Sequence, residues 1–167
     1  ILTGTFGKTL GGGLGGFICA ARDVIALLRQ RARPYLFSNS LPPSTCGAAL
    51  ESIRIARSAE GDDLRRNLTD NRKQFRDSMQ AAGFALAPGE TPIVPVMLGD
   101  GRLTQTMAAR LLDIGIYVTG FSYPVVPQGK ARIRVQLSAR HGRAQIQQLI
   151  DSFTAVREAM VRIEGER

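Results

Sequence analysis

The sequence predicts a mixed α/β protein in three parts: an α/β segment over residues 1–60, a connecting helix over 61–83, and a compact α+β unit over 84–167. Three observations carry that expectation. A glycine-rich stretch separates two β-prone runs near the start. Leu64, Leu68, Phe75 and Met79 recur at intervals of four, seven and four residues, which lays one apolar stripe along a helix. Residues 131–138 alternate without interruption, with Ala131, Ile133, Val135 and Leu137 on one side and Arg132, Arg134, Gln136 and Ser138 on the other, the period of a half-buried strand.

The elements follow in order. Seven of the 18 glycines fall within the first sixteen residues, so a sharp turn joins a first strand to a second at Phe17 to Ala20. Asp23 can cap a helix that runs to about Arg31, with Val24, Leu27 and Leu28 on one face, and Pro34 ends it. Residues 35–43 read as an extended loop, and Ser44 offers an N-cap for a small-residue helix to about Ser58. The helix from Asp62 to Ala82 stops at Gly83. Ile93 to Leu98 reads as a strand that Pro95 places at a sheet edge. Leu103 to Ile114 is a helix closed by Gly115, and Ile116 to Thr119 is a short strand. The last helix has Ile146, Leu149, Ile150, Phe153, Val156, Met160 and Ile163 on its buried side.

Composition narrows the function. With 44% hydrophobic and 22% charged residues, the 167-residue chain is a globular one, and no apolar run reaches the roughly 20 residues of a membrane span. The opening residues lack the basic region of a signal peptide, so a cytoplasmic protein without a membrane partner is expected. Cys19 and Cys46 stand too far apart for a redox pair and, with one histidine, form no zinc site; no metal is expected, and both are read as reduced, buried residues. The net charge of +8 draws anions, but aromatics make up only 6% and do not interleave with the arginines, which argues against nucleic acid.

The glycine cluster fits two phosphate motifs only superficially. Gly7-Lys8-Thr9 would end a P-loop, yet Leu2 stands where that motif needs its first glycine. Gly11, Gly13 and Gly16 match a dinucleotide fingerprint, but a strand follows instead of a helix. A lone lysine remains. Spacing alone reads Lys8 as a solvated charge, although an amine held in such a turn can also form a Schiff base with an aldehyde. Thr5 is read either as a turn residue satisfying backbone groups or as a donor to a bound phosphate.

Three stretches together carry a resemblance. They are Thr3 to Lys8 with its glycine run, Arg33 to Leu41, and Gly120 to Pro127 leading to Ala131 to Arg134. In that order they resemble the α-oxoamine synthases, pyridoxal-phosphate-dependent enzymes of the aspartate-aminotransferase type (fold type I), and most of all the branch that joins glycine to acetyl-CoA. The resemblance implies pyridoxal 5′-phosphate as cofactor, with Lys8 carrying it and serving as catalytic base, Thr5 at its phosphate end, and Ser38 and Asn39 reaching the partner's cofactor across a homodimer. It implies Arg132 as the grip on the substrate carboxylate, a task suited to a planar guanidinium. The alternation alone does not choose between Arg132 and Arg134. His141 is read as a cap or surface residue before the last helix. A complete member of the family is more than twice this length, so the chain is expected to be a C-terminal portion, the end of the large domain plus the small one, inactive by itself. The alternatives are a relative using another acyl-CoA or amino acid, and a non-catalytic interaction fragment.

Overall fold

The computed structural model describes residues 1–11 and 13–165, the last three as backbone only. The chain divides into two compact units, Ile1–Asp63 and Leu64–Arg167.

In the first unit β1 (Leu2–Thr5) and β2 (Gly16–Cys19) form an antiparallel hairpin in which Leu2 pairs with Cys19 and Thr5 with Gly16. Three helices follow: α1 (Arg22–Arg31), α2 (Arg33–Leu36) and α3 (Pro43–Ala56). Asp23 does not cap α1. Ala21 stands at that position, and Asp23 lies inside the first turn, where its charge opposes the helix dipole. Pro34 sits in the first turn of α2, because the N–H it lacks would have had no helical partner there, so the expected loop is helical over its first two residues. α3 begins one residue before Ser44 for the same reason, with Pro42 outside it and Pro43 within. Ser58 belongs to the next helix: its carbonyl accepts from Asp62 N–H (3.1 Å) and its hydroxyl from Gly61 N–H (3.4 Å).

No helix confined to this unit buries a residue, and large apolar side chains such as Leu2, Leu27, Phe37 and Leu50 are exposed. Cys19 and Cys46 are free and exposed, against the expectation of burial, because the unit has no apolar interior to take them.

The second unit holds the core. α4 (Ala59–Ala81) ends in a C-terminal motif in which Gly83, at φ +79°, donates its N–H to Gln80 O and Phe84 donates to Met79 O (both 2.9 Å). Four strands follow in the spatial order β3 (Ala85–Leu86), β4 (Ile93–Gly99), β6 (Ala131–Gln136), β5 (Thr119–Phe121), all antiparallel. Between them lies α5 (Gly101–Asp113), and α6 (Arg143–Gly165) closes the chain. The expected alternation of β6 is realised: Ala131, Ile133 and Val135 are buried and face the core formed with Phe75, Met79, Met107, Leu111, Ile146 and Phe153. Phe153 receives Phe75 and Phe84 edge-on at 6.4 and 5.9 Å. Ile163, the last of the expected buried residues of α6, lies outside the described side chains.

Two strand expectations are corrected. β4 is interior, flanked by β3 and β6, despite Pro95. The carbonyl of Pro95 accepts from Ala87 N–H (3.0 Å), so the N–H it lacks would have met Ala87 O; the guanidinium of Arg76 on α4 takes that carbonyl instead, with both terminal nitrogens at 3.1 Å. β5 starts at Thr119, not Ile116, because Ile116 N–H is committed to Leu111 O (2.8 Å) in closing α5. α5 itself starts two residues early. Asp100 caps it, accepting from Leu103 N–H at 2.7 Å.

Candidate functional site

In the first unit the site is built on the loop between β1 and β2. Phe6 N–H donates to Gly15 O (3.0 Å), continuing the ladder past Thr5. The Thr5 hydroxyl donates to the same carbonyl (3.2 Å) and accepts from Gly7 N–H (3.2 Å), so it ties the two arms of the loop together. Gly11 N–H then donates to Lys8 O at 2.9 Å, a tight turn that leaves the Lys8 side chain exposed. Among the described residues its amine has no hydrogen-bond or ion-pair partner. Gly15 has φ +97°, and a Cβ there would lie 2.8 Å from Leu41 Cδ1. The segment after α2 therefore runs against this loop through Leu41. Ser38 and Asn39 precede that contact and are exposed, with the Ser38 hydroxyl donating to Asn39 O at 3.4 Å.

These features fit pyridoxal phosphate by the chemistry of the groups present. A primary amine without a partner is what an aldehyde requires. Hydroxyls at Thr5 and Ser38, and the Asn39 amide beside the latter, are neutral donors of the kind a phosphate accepts. The Thr5 hydroxyl is already spent on Gly15 O, which agrees with the turn reading of the sequence and means that a donor bond to phosphate replaces an internal one.

In the second unit the polar face of β6 carries both arginines. Arg132 is half-buried, opposite Met97 of β4 and Phe121 of β5. Arg134, two residues along, is exposed and lies over the Phe121 ring at 4.4 Å from its centroid. Phe121 was not singled out in the sequence; its register beside Arg132 becomes visible only once β5 is placed. Both arginines stand on one side of one strand, so the strand geometry does not choose between them as a candidate to meet a carboxylate.

An antiparallel α/β unit with a paired-arginine strand, together with a free lysine in a strand-to-strand glycine loop, suits a pyridoxal-phosphate-dependent transferase. Residues 1–153 match the aminotransferase class I and II family, and the chain belongs to it. It is 51% identical over 156 residues to 2-amino-3-ketobutyrate coenzyme A ligase of Salmonella typhimurium, an alignment covering 93% of this chain and 39% of that protein. Identity to 8-amino-7-oxononanoate synthase of Thermosipho melanesiensis is 41% over 153 residues, covering 92% of this chain and 38% of that one. A solved structure of SPT with its PLP internal aldimine superimposes with a TM-score of 0.87 at 35% identity, over 94% of this chain and 39% of that chain. The fold is thus the pyridoxal-phosphate-dependent transferase fold, type I, and pyridoxal phosphate is the cofactor that goes with it. The chain spans about two fifths of the length of the relatives it matches.

Proposed function

We propose that this chain is the C-terminal portion of a pyridoxal-phosphate-dependent glycine C-acetyltransferase, also called 2-amino-3-ketobutyrate coenzyme A ligase, acting in threonine degradation to glycine. The observation that carries the reading is the amine of Lys8, without a partner among the described residues, in a chain so similar to such a ligase. Residues 1–60 then belong to the large cofactor-binding domain, 61–83 connect, and 84–167 form the small domain.

Pyridoxal phosphate, when bound, supplies an electron sink for a carbanion at the α-carbon of an amino acid. Lys8 Nζ would hold the cofactor until the amino group of glycine displaces it, and the freed lysine amine would then take a proton from the glycine α-carbon. The carbon so exposed would attack the acetyl carbonyl; a C–C bond forms, the thioester C–S bond breaks, and coenzyme A leaves as the thiol, its sulfur taking up the equivalent of the proton that Lys8 removed. Thr5 contributes to holding the phosphate in its own subunit. Ser38 and Asn39 do so for the partner in a homodimer. Arg132, carried by the resemblance, grips the glycine carboxylate, and Arg134 on the same face is the alternative that the strand geometry leaves open. A cytoplasmic location and the absence of nucleic-acid or membrane partners complete this reading; no helix among the described residues is long and apolar enough to cross a membrane.

A second reading has one observation behind it. The buried apolar side chains among the described residues all lie in the second unit, so the first needs a covering surface from other protein. By itself the chain is then an inactive fragment, and activity returns in the longer protein. Thiol release from acetyl-CoA in the presence of glycine tests both. The longer protein is expected to turn over and to lose roughly a thousandfold or more on Lys8→Ala, while the 167-residue chain alone does not. Turnover unaffected by Lys8→Ala refutes the first reading, and preference for a longer acyl-CoA moves the chain to another branch of the family.

A further inference from the structure

β6 ends at Gln136, and the chain reaches α6 through a turn at residues 138–142 that is closed on itself. His141 N–H donates to Ser138 O (3.2 Å), Arg140 N–H to the Ser138 hydroxyl (3.1 Å), and Ser138 N–H to Nδ1 of the His141 ring (3.2 Å). One side chain from another element grips the turn. Asn71 of α4, only 7% exposed, donates through Nδ2 to both Ser138 O (3.1 Å) and His141 O (2.8 Å). Gln145 closes the far side by accepting from Gly142 N–H at 2.8 Å.

We infer that His141 is a positioning residue: as the neutral imidazole it latches the end of β6 to α4, and on protonation it releases that latch. A ring nitrogen that accepts an N–H bond must be bare, whereas both nitrogens of an imidazolium carry hydrogen. Protonation therefore sets N–H against N–H at Ser138, and the carbonyls that Asn71 holds lose the turn geometry that aligns them. A buried amide deprived of its acceptors is costly, so the contact opens as a unit and does not weaken gradually.

The charged and titratable groups around this ring come from each neighbouring element. α4 brings Asp70, Lys73 and Asp77 into the groove on one side, and α6 brings Arg143. On the other side β6 brings Arg134 and the segment before β5 brings Tyr117. His141 thus shares a groove with Arg134. If the carboxylate grip lies on β6, as proposed above, release of the latch loosens the strand that carries it; the latch itself does not depend on that reading.

His141 is the only histidine in the chain, so its ring signals are unambiguous. The test is long-range proton–nitrogen NMR on the nitrogen-15-labelled chain, with amide exchange of Ser138 measured with the ring neutral and again with it protonated. The neutral ring is expected to carry its proton on Nε2, and the Ser138 protection factor to fall at least tenfold on protonation. His141→Asn, whose Oδ1 replaces Nδ1 as acceptor, is expected to hold that protection under both conditions. His141→Leu is expected to lose it under both while the Phe153 amide stays protected. A proton on Nδ1 in the neutral ring overturns the inference. So does equal Ser138 protection in the wild type under both conditions, or an acid loss that His141→Asn shares. Should His141→Leu also expose Phe153, the comparison of wild type with His141→Asn decides alone. None of these measurements reads catalysis, so failure of the enzymatic reading leaves them intact.

Discussion

Replacing Arg76 by methionine tests how a proline is held in the middle of this sheet. The substitution keeps the apolar stem of a half-buried side chain and removes two N–H groups, each 3.1 Å from Ala87 O. Pro95 has no N–H to offer that carbonyl in their place. Hydrogen bonds from a charged group contribute about 1.5–3 kcal/mol net, and partial exposure of Arg76 puts the loss near the lower end, about 1.5 kcal/mol. For a cooperative unit of about 100 residues this lowers the melting midpoint by roughly 6–12 °C. Calorimetry follows it directly, since the second unit contains the buried apolar side chains among the described residues. Pro95→Val in the Arg76→Met background restores an N–H aimed at Ala87 O and is expected to recover at least about half of the loss. A shift below about 2 °C for Arg76→Met, or no recovery from the added valine, refutes the reasoning.

Phe153→Ala removes a fully buried ring packed against the edges of two others and is expected to cost about 3–5 kcal/mol in urea unfolding. In the longer protein, Arg132→Gln and Arg134→Gln separate the two candidates for the proposed carboxylate grip: loss of the one that serves raises the glycine KM by roughly ten- to a hundredfold, and loss of the other leaves it nearly unchanged. The hydrogen bond from Arg54 holds the Glu51 carboxyl below its ordinary range, so its stabilising effect is present above the carboxyl's unfolded value and is lost as pH falls through the lowered folded one. Because the pair is exposed, Glu51→Gln is expected to leave the melting midpoint at neutral pH essentially unchanged, while an NMR titration of Glu51 returns to the ordinary range in Arg54→Met.

Much of the second unit was legible in the sequence because burial on one face writes a period. The alternation of residues 131–136 became a strand packed as expected, the helical stripe packs through Leu68, Phe75 and Met79 while Leu64 stays half-buried outside the core cluster, and Gly83 and Gly115 closed their helices. What failed were inferences in which a distant residue decides. Pro95 is acceptable inside the sheet because Arg76, nineteen positions earlier, supplies the missing donor, and no local pattern announces that. The cysteines were expected to be buried because small apolar residues usually are, but the unit that holds them has no interior. At the site, spacing alone reads Lys8 as a solvated charge, and the structure does place it at the surface. Its chemistry was legible only through resemblance, whereas the hydroxyl of Thr5 was legible as a turn bond. The choice between Arg132 and Arg134 was hidden for a physical reason: residues two apart on a strand share a face.

The central claim is that Lys8 presents a reactive amine to pyridoxal phosphate. Incubating the chain with the cofactor, reducing with borohydride and locating the mass increment by peptide mapping tests it most directly, since Lys73 and Lys130 are the only other lysines. The account predicts one stable adduct on Lys8 that disappears in Lys8→Ala. Labelling spread evenly over the three lysines, or absent from Lys8 even in the longer protein, contradicts it.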